Sequence, residues 1–244
     1  MSRKPASKPR AATPEPVDYL VVAPHPDDAE LAMGGTVAKL LAAGRRVGIV
    51  DLTSGEPTPF GSRAKRRRET AAATDVLNLS VRLNLGMTNR ELMPTLDNRR
   101  RLAKVYRTLR PRVVFVPYWL DAHPDHVAAT QLAEQARFHA KLTKTRMRGE
   151  PHYPARLIYY YCTHLRRSAD VAFVLDVSDH IDLKRRAIEC YRSQFYDGRG
   201  DQAGAVLDYV LDTNRYWGRQ INRRFGEPFA VRETLGLETL DAVL

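Results

Sequence analysis

Cysteine is almost absent: Cys162 and Cys190 are the only two among 244 residues. A disulfide framework is therefore excluded, and a reducing compartment, the cytoplasm, is expected. Long apolar runs are missing as well. No stretch approaches the ~20 consecutive apolar residues that a membrane-spanning helix requires, and the basic N-terminus has no apolar core of the kind a secretory signal carries. There is no internal repeat. Acidic residues are in deficit, with 28 Asp and Glu against 39 Lys and Arg, for a formal charge of +11. Such a charge suits anionic partners. Arginine, however, is spread through most of the chain and is not interleaved with aromatics in one stripe. A solvated basic surface is expected, not nucleic-acid binding, and no membrane association.

What is present begins after a basic, proline-bearing stretch, residues 1–16, that has no apolar periodicity and reads as a disordered tail. Residues 17–244 then read as one domain. Apolar runs at 17–23, 47–52, 81–85 and 113–118 read as strands. Helical periodicity at 29–43, 63–77, 98–109 and 127–141 places a helix after each. This β-α alternation predicts an α/β fold built on a parallel sheet flanked by helices. Beyond it, 157–162 and 171–176 read as strands, 181–195 and 205–225 as helices, and the residues from 226 onward show no clear pattern. They form a smaller C-terminal strand–helix extension.

Two clusters carry chemistry. The first strand runs straight into His25-Pro26-Asp27-Asp28, and the strand at 113–118 runs into Asp121-Ala122-His123-Pro124-Asp125-His126. Parallel sheets place their sites beyond the carboxyl ends of strands, so both clusters belong to one crevice. Imidazoles and carboxylates in this mixture suit a divalent metal, zinc first, with Fe2+ or cobalt also compatible. His25 and Asp28, three apart at a strand-to-helix turn, can converge on one point, and His126, opening a helix, can join them. Asp27 then points elsewhere and suits a general base, while His123 suits a partner for the oxyanion or the leaving amine. Asp27 or Asp28 could instead cap the helix that follows. Asp125 reads as the cap of its own helix or as a carboxylate that steadies a ligand histidine. His139, His152, His164 and His180 lie away from both clusters in sequence and read as surface, capping or packed residues, with His164, just past a strand, the one that could face the crevice. Tyr191 and Gln194 could line the site or an interface.

The segment from Ala23 to Glu30, with Gly34-Gly35-Thr36 and His123-Pro124-Asp125-His126, resembles the PIG-L/LmbE-type zinc-dependent N-acetylglucosaminyl deacetylases. The similarity covers about residues 17–229. Leu83-Asn84-Leu85-Gly86-Met87, Tyr191-Arg192-Ser193-Gln194-Phe195, Arg215-Tyr216-Trp217-Gly218 and Gly226-Glu227-Pro228-Phe229 bring it nearest to the bacillithiol-biosynthesis branch. The resemblance implies a Rossmann-like fold and hydrolysis of an N-acetyl group from a glucosamine conjugate, GlcNAc-malate first. It implies zinc on His25, Asp28 and His126, Asp27 as base, and His123 as electrostatic partner. It also implies Arg66 as a substrate-binding residue, although Arg66 could be one more solvated charge in the run 63–68. A homo-oligomer is expected by the same comparison. Asn89 and Ala122 depart from the family's usual residues beside the pocket. A deacetylase acting on another amino sugar, an amidase acting on a thiol–sugar conjugate, or a nucleic-acid binder on the same fold, are the alternatives.

Overall fold

A parallel β-α-β chain must bury both faces of its strands, and the strand sequences here show how. In β1 (Tyr19–Ala23), Leu20 and Val22 face one way and Val21 and Ala23 the other, and all four are inaccessible to solvent. The computed structural model describes residues 15–164 and 169–236. Of the expected N-terminal tail, 1–14 lie outside the described residues, as do 165–168 and 237–244.

The elements follow in order: α1 (Asp28–Ala42), β2 (Val47–Thr53), α2 (Arg63–Leu77), β3 (Val81–Met87), α3 (Leu96–Leu109), β4 (Val113–Pro117), α4 (Pro124–Ala140), β5 (Arg156–Tyr160), β6 (Phe173–Asp176), α5 (Ile181–Glu189), α6 (Arg192–Phe195), α7 (Ala205–Gln220) and β7 (Gly226–Ala230). They build one seven-stranded sheet of order β3-β2-β1-β4-β5-β7-β6. β1 to β5 pair in parallel, and β7 enters antiparallel between β5 and β6. Leu20 and Val22 pack with Leu102, Tyr106 and Leu132 of α3 and α4. Val21 and Ala23 pack with Met33 and Val37 of α1 and Ala187 of α5. Among the described residues no helix is long and apolar enough to cross a membrane.

The strand order reverses between β1 and β4. Chain leaving β1 goes to one side of the sheet and chain leaving β4 to the other, which opens a crevice above their carboxyl ends. Both His/Asp clusters leave from these two ends.

Three expectations are corrected here. The helix expected over 181–195 is broken at Cys190–Tyr191, because Tyr191 turns inward and its hydroxyl donates to Glu30 Oε1 at 3.0 Å. The last helix stops at Gln220, because residues 218–223 turn back to deliver β7. Of the patternless residues from 226, Gly226–Ala230 are a fully buried strand.

α1 is interrupted at Met33 (φ −143°, ψ 25°). The interruption leaves the Gly35 and Thr36 N–H groups without helical acceptors, and both donate to the Glu227 carboxylate, at 3.0 and 2.6 Å. Lys184 Nζ donates to the same carboxylate at 2.6 Å. Glu227 and Lys184 are wholly inaccessible. Gly35 is required by close approach, since a Cβ there would lie 2.8 Å from Val177 Cβ.

Candidate active site

The turn after β1 brings His25, Asp27 and Asp28 into a cavity also lined by Asn89, Arg90, His123, His164, Gln194 and Arg199. Asp28 Oδ2 lies between two imidazoles at its wall. It lies 3.1 Å from His25 Nδ1 and 3.4 Å from His126 Nε2, and it accepts the His25 backbone N–H at 3.0 Å. The donor atoms of these three buried residues all lie within 4.8 Å of one another. Each histidine turns its other nitrogen to a carboxylate. His25 Nε2 is 3.1 Å from Asp125 Oδ2, and His126 Nδ1 is 3.2 Å from Asp121 Oδ2. Asp125 is in turn fixed by the backbone N–H groups of Arg90 and Leu92, at 2.7 and 3.1 Å.

This donor set fits a divalent cation. Two imidazoles and one carboxylate converge, each imidazole is oriented from behind by a carboxylate, and neither ring nitrogen of fully buried His126 makes a well-aligned hydrogen bond within the protein. The groups His25–His123–Asp125 and Asp121–His126–Cys162 also lie close together. They reuse nitrogens already turned toward Asp125 and Asp121, so the set centred on Asp28 is the better one.

Asp27 stands apart from this convergence. Its backbone has φ 117°, a region that costs a non-glycine residue about 1–3 kcal/mol. It occupies the N-cap of α1 but makes no side-chain capping bond. Its Oδ2 instead accepts from Arg66 Nη1 at 2.9 Å, and the same nitrogen donates to the Pro26 carbonyl oxygen. Burial pushes the Asp27 carboxyl up to about 7, against the pull of Arg66. Arg66 is itself only 3% exposed and its Nε lies 3.3 Å from Glu56 Oε1.

His123 is the N-cap of α4, and its Nδ1 accepts the Asp125 N–H at 3.1 Å. The helix is thus capped by His123, and the Asp125 carboxylate is directed to His25. With Nδ1 accepting, the proton of neutral His123 resides on Nε2. Burial, with His126 and His25 nearby, lowers its pKa to about 4, so the ring is neutral near pH 7.

Burial disfavours a charged His25, but Asp125 and Asp28 outweigh it and raise its pKa to about 9. Burial likewise works against Asp28, and the His126 and His25 rings hold its carboxyl well below the usual range. Without a cation, protons therefore hold this cluster together, and any metal that enters must displace them. A stability effect follows. His25 binds its proton more tightly folded than unfolded, so its contribution, about 3 kcal/mol, is complete below pH 6.5 and disappears as the pH rises through about 9. Calorimetric melting of chelator-treated protein should give a midpoint that falls between pH 6.5 and 9, and metal-loaded protein should lack this fall.

The structure thus gathers Asp27, Asp28, His25, His123, Asp125 and His126 in one place. His164 joins them: its ring centroid lies 5.2 Å from those of both His123 and His126. Of the places open to His164, surface, crevice or subunit contact, the structure puts it at the crevice, since the turn after β5 lies beside the β4 end. His152, by contrast, faces the Pro111 carbonyl at 2.7 Å, and His139 the Gln135 carbonyl at 3.1 Å. Sequence reasoning gave Asp121 no role, although a spare carboxylate in a histidine cluster is the natural partner for a second ring nitrogen. It also missed the buried group behind the site, in which Arg82 joins Asp51 and Glu30.

Known proteins similar to this chain include deacetylases. The conserved protein TT1542 from Thermus thermophilus is 39% identical in sequence and superposes with a TM-score of 0.82, over 91% of this chain and 97% of its own. The diacetylchitobiose deacetylase of Thermococcus kodakarensis is 28% identical over 85% of this chain and 80% of the relative. The 1D-myo-inositol 2-acetamido-2-deoxy-alpha-D-glucopyranoside deacetylase 2 of Catenulispora acidiphila is 28% identical over 74% and 80%. The PIG-L family model, described as GlcNAc-PI de-N-acetylase, matches residues 20–137, a span that opens in β1, closes in α4 and holds both His/Asp clusters. The chain belongs to the PIG-L family of deacetylases.

Proposed function

We propose that this protein is a zinc-dependent N-deacetylase that hydrolyses the acetamide of an N-acetylglucosaminyl conjugate, with GlcNAc-malate as its substrate and a place in bacillithiol biosynthesis. The observation that carries the reading is Asp28 Oδ2 set between His25 Nδ1 and His126 Nε2, with the carboxylate of Asp27 held apart from them on Arg66 at the wall of the same cavity. Both deacetylase relatives are named for substrates that contain an acetamido sugar, which supports the sugar half of the substrate.

His25, Asp28 and His126 would hold the cation, and Asp125 and Asp121 face the second nitrogens of the two rings. When bound, a divalent cation supplies positive charge that polarises the amide carbonyl and acidifies a neighbouring water. Asp27 takes the proton of that water as it attacks, and afterwards gives it to the departing amine, so the products are acetate and the free amino sugar. Arg66 fixes the Asp27 carboxylate and so decides where the proton is taken up. His123, neutral and protonated on Nε2, donates a hydrogen bond to the carbonyl oxygen as negative charge builds on it.

The test combines metal analysis of the purified protein with acetate release from GlcNAc-malate, diacetylchitobiose and a thiol–sugar conjugate. The expected result is about one zinc per chain, acetate from GlcNAc-malate, loss of release on chelation and its return on adding zinc. Release of an amine without acetate would mark an amidase and overturn the reading.

A further inference from the structure

Arg66, the arginine implied for substrate binding, already turns its Nη1 to Asp27 and the Pro26 carbonyl oxygen and its Nε toward Glu56. Two other arginines line the same cavity, and both are exposed: Arg90 and Arg199. Among the described residues neither guanidinium is in an ion pair, whereas exposed cations elsewhere are, such as Arg215 with Asp212 and Arg223 with Asp176. The carboxylates lining the cavity, Asp27 and Asp28, already face Arg66 and the two imidazoles. The outer part of the cavity therefore carries uncompensated positive charge.

We propose that Arg199 and Arg90 form a subsite for the carboxylates of the aglycone, which makes the preferred substrate an N-acetylglucosaminide of a small dicarboxylate. The proposal rests on the deacetylase reading above and assigns its specificity to residues that reading does not use.

Both arginines are held in place without losing their charge. Arg199 follows Gly198, which has φ +67° and packs so closely on Phe60 that a Cβ there would lie 2.3 Å from the ring. The Arg199 guanidinium carbon is 5.7 Å from the Phe60 centroid, an arrangement that restrains a cation while leaving its N–H groups free. The helix just before Arg199, α6, is joined to the loop after β2 by Gln194 Nε2 donating to Thr58 Oγ1 at 3.2 Å. Arg90 is in the left-handed region at φ 66°, and its backbone N–H donates to Asp125 Oδ2, the oxygen that also faces His25. The Arg199 cation is thus held on the loop after β2, and the Arg90 backbone on the histidine cluster, around a cavity of about 360 Å3. That is enough for a substituted sugar, and a guanidinium is the side chain best matched to a carboxylate in charge and geometry.

The experiment uses the metal-loaded full chain with Arg199→Gln, Arg90→Gln, the double variant, and Arg146→Gln as a control outside the cavity. Each is assayed on GlcNAc-malate and on the uncharged diacetylchitobiose. The ratio of kcat/KM for the anionic over the neutral substrate should fall about 10-fold in each single variant and further in the double, mainly through KM. The control should keep the wild-type ratio. An unchanged ratio in both single variants overturns the proposal. If neither substrate yields acetate, the deacetylase reading fails separately. Calorimetric titration with intact GlcNAc-malate then decides: weaker binding in both variants sustains the subsite, and equal binding removes it.

Discussion

Asp27→Asn should lower kcat by about 100-fold to 10,000-fold, the range expected when a positioned base is lost, equivalent to about 3–5 kcal/mol of barrier. KM should stay within a few-fold, and metal content should be unchanged. The choice of asparagine matters. Asp27 sits at φ 117°, and asparagine is among the few residues that tolerate positive φ. Its amide oxygen can still accept from Arg66 Nη1, which now reaches Asp27 Oδ2 at 2.9 Å. The turn should therefore keep its shape while losing the group that takes the proton. Steady-state kinetics, metal analysis and thermal melting on one preparation separate these effects. An Asp27→Asn enzyme of full activity would remove Asp27 from the chemistry, and a variant that lost its metal would place Asp27 among the residues that hold it.

The second large effect is on stability and arises away from the cavity. Lys184→Met should destabilise the protein by about 3–5 kcal/mol, because it leaves the Glu227 carboxylate charged, buried and without its cation. Lys184 Nζ and Glu227 Oε1 are 2.6 Å apart and both residues are wholly inaccessible. For a chain of this size the loss corresponds to a melting midpoint lower by about 10 °C. Adding Glu227→Gln to that variant should restore part of the loss, since the amide removes the stranded charge yet still accepts one of the Gly35 and Thr36 N–H groups. A midpoint shift below about 2 °C in the single variant would mean that water reaches Glu227 in its place.

The parallel half of the fold was legible from the chain alone because its signals are local. α2 spans Arg63–Leu77 as periodicity indicates, and β1, β2 and β4 fall within two residues of their apolar runs. The positions of His25, Asp28 and His126 could be inferred because strand ends, not distant contacts, place them. What stayed hidden depends on partners far away in sequence. Gly226-Glu227-Pro228 has no strand pattern of its own and is a strand because β5 and β6 flank it. The break at Tyr191 exists because Glu30 lies opposite its hydroxyl. Arg66 looks in sequence like one cation in a basic run, and only the fold sets it against Asp27 and Glu56. His164 reaches the cavity by way of a turn whose path no periodicity announces.

The seating of β7 between β5 and β6 has a consequence for the order in which the protein comes into being. β6 is made some fifty residues before β7, yet β7 is the strand it pairs with. The carboxylate that ties down the interrupted first helix also arrives with β7. During synthesis on the ribosome, which proceeds from the N-terminus, Asp28 and its helix therefore wait on nearly the whole chain. Until residues 226–230 have left the exit tunnel, the nascent protein has a parallel sheet with an open edge and a first helix that lacks its anchor.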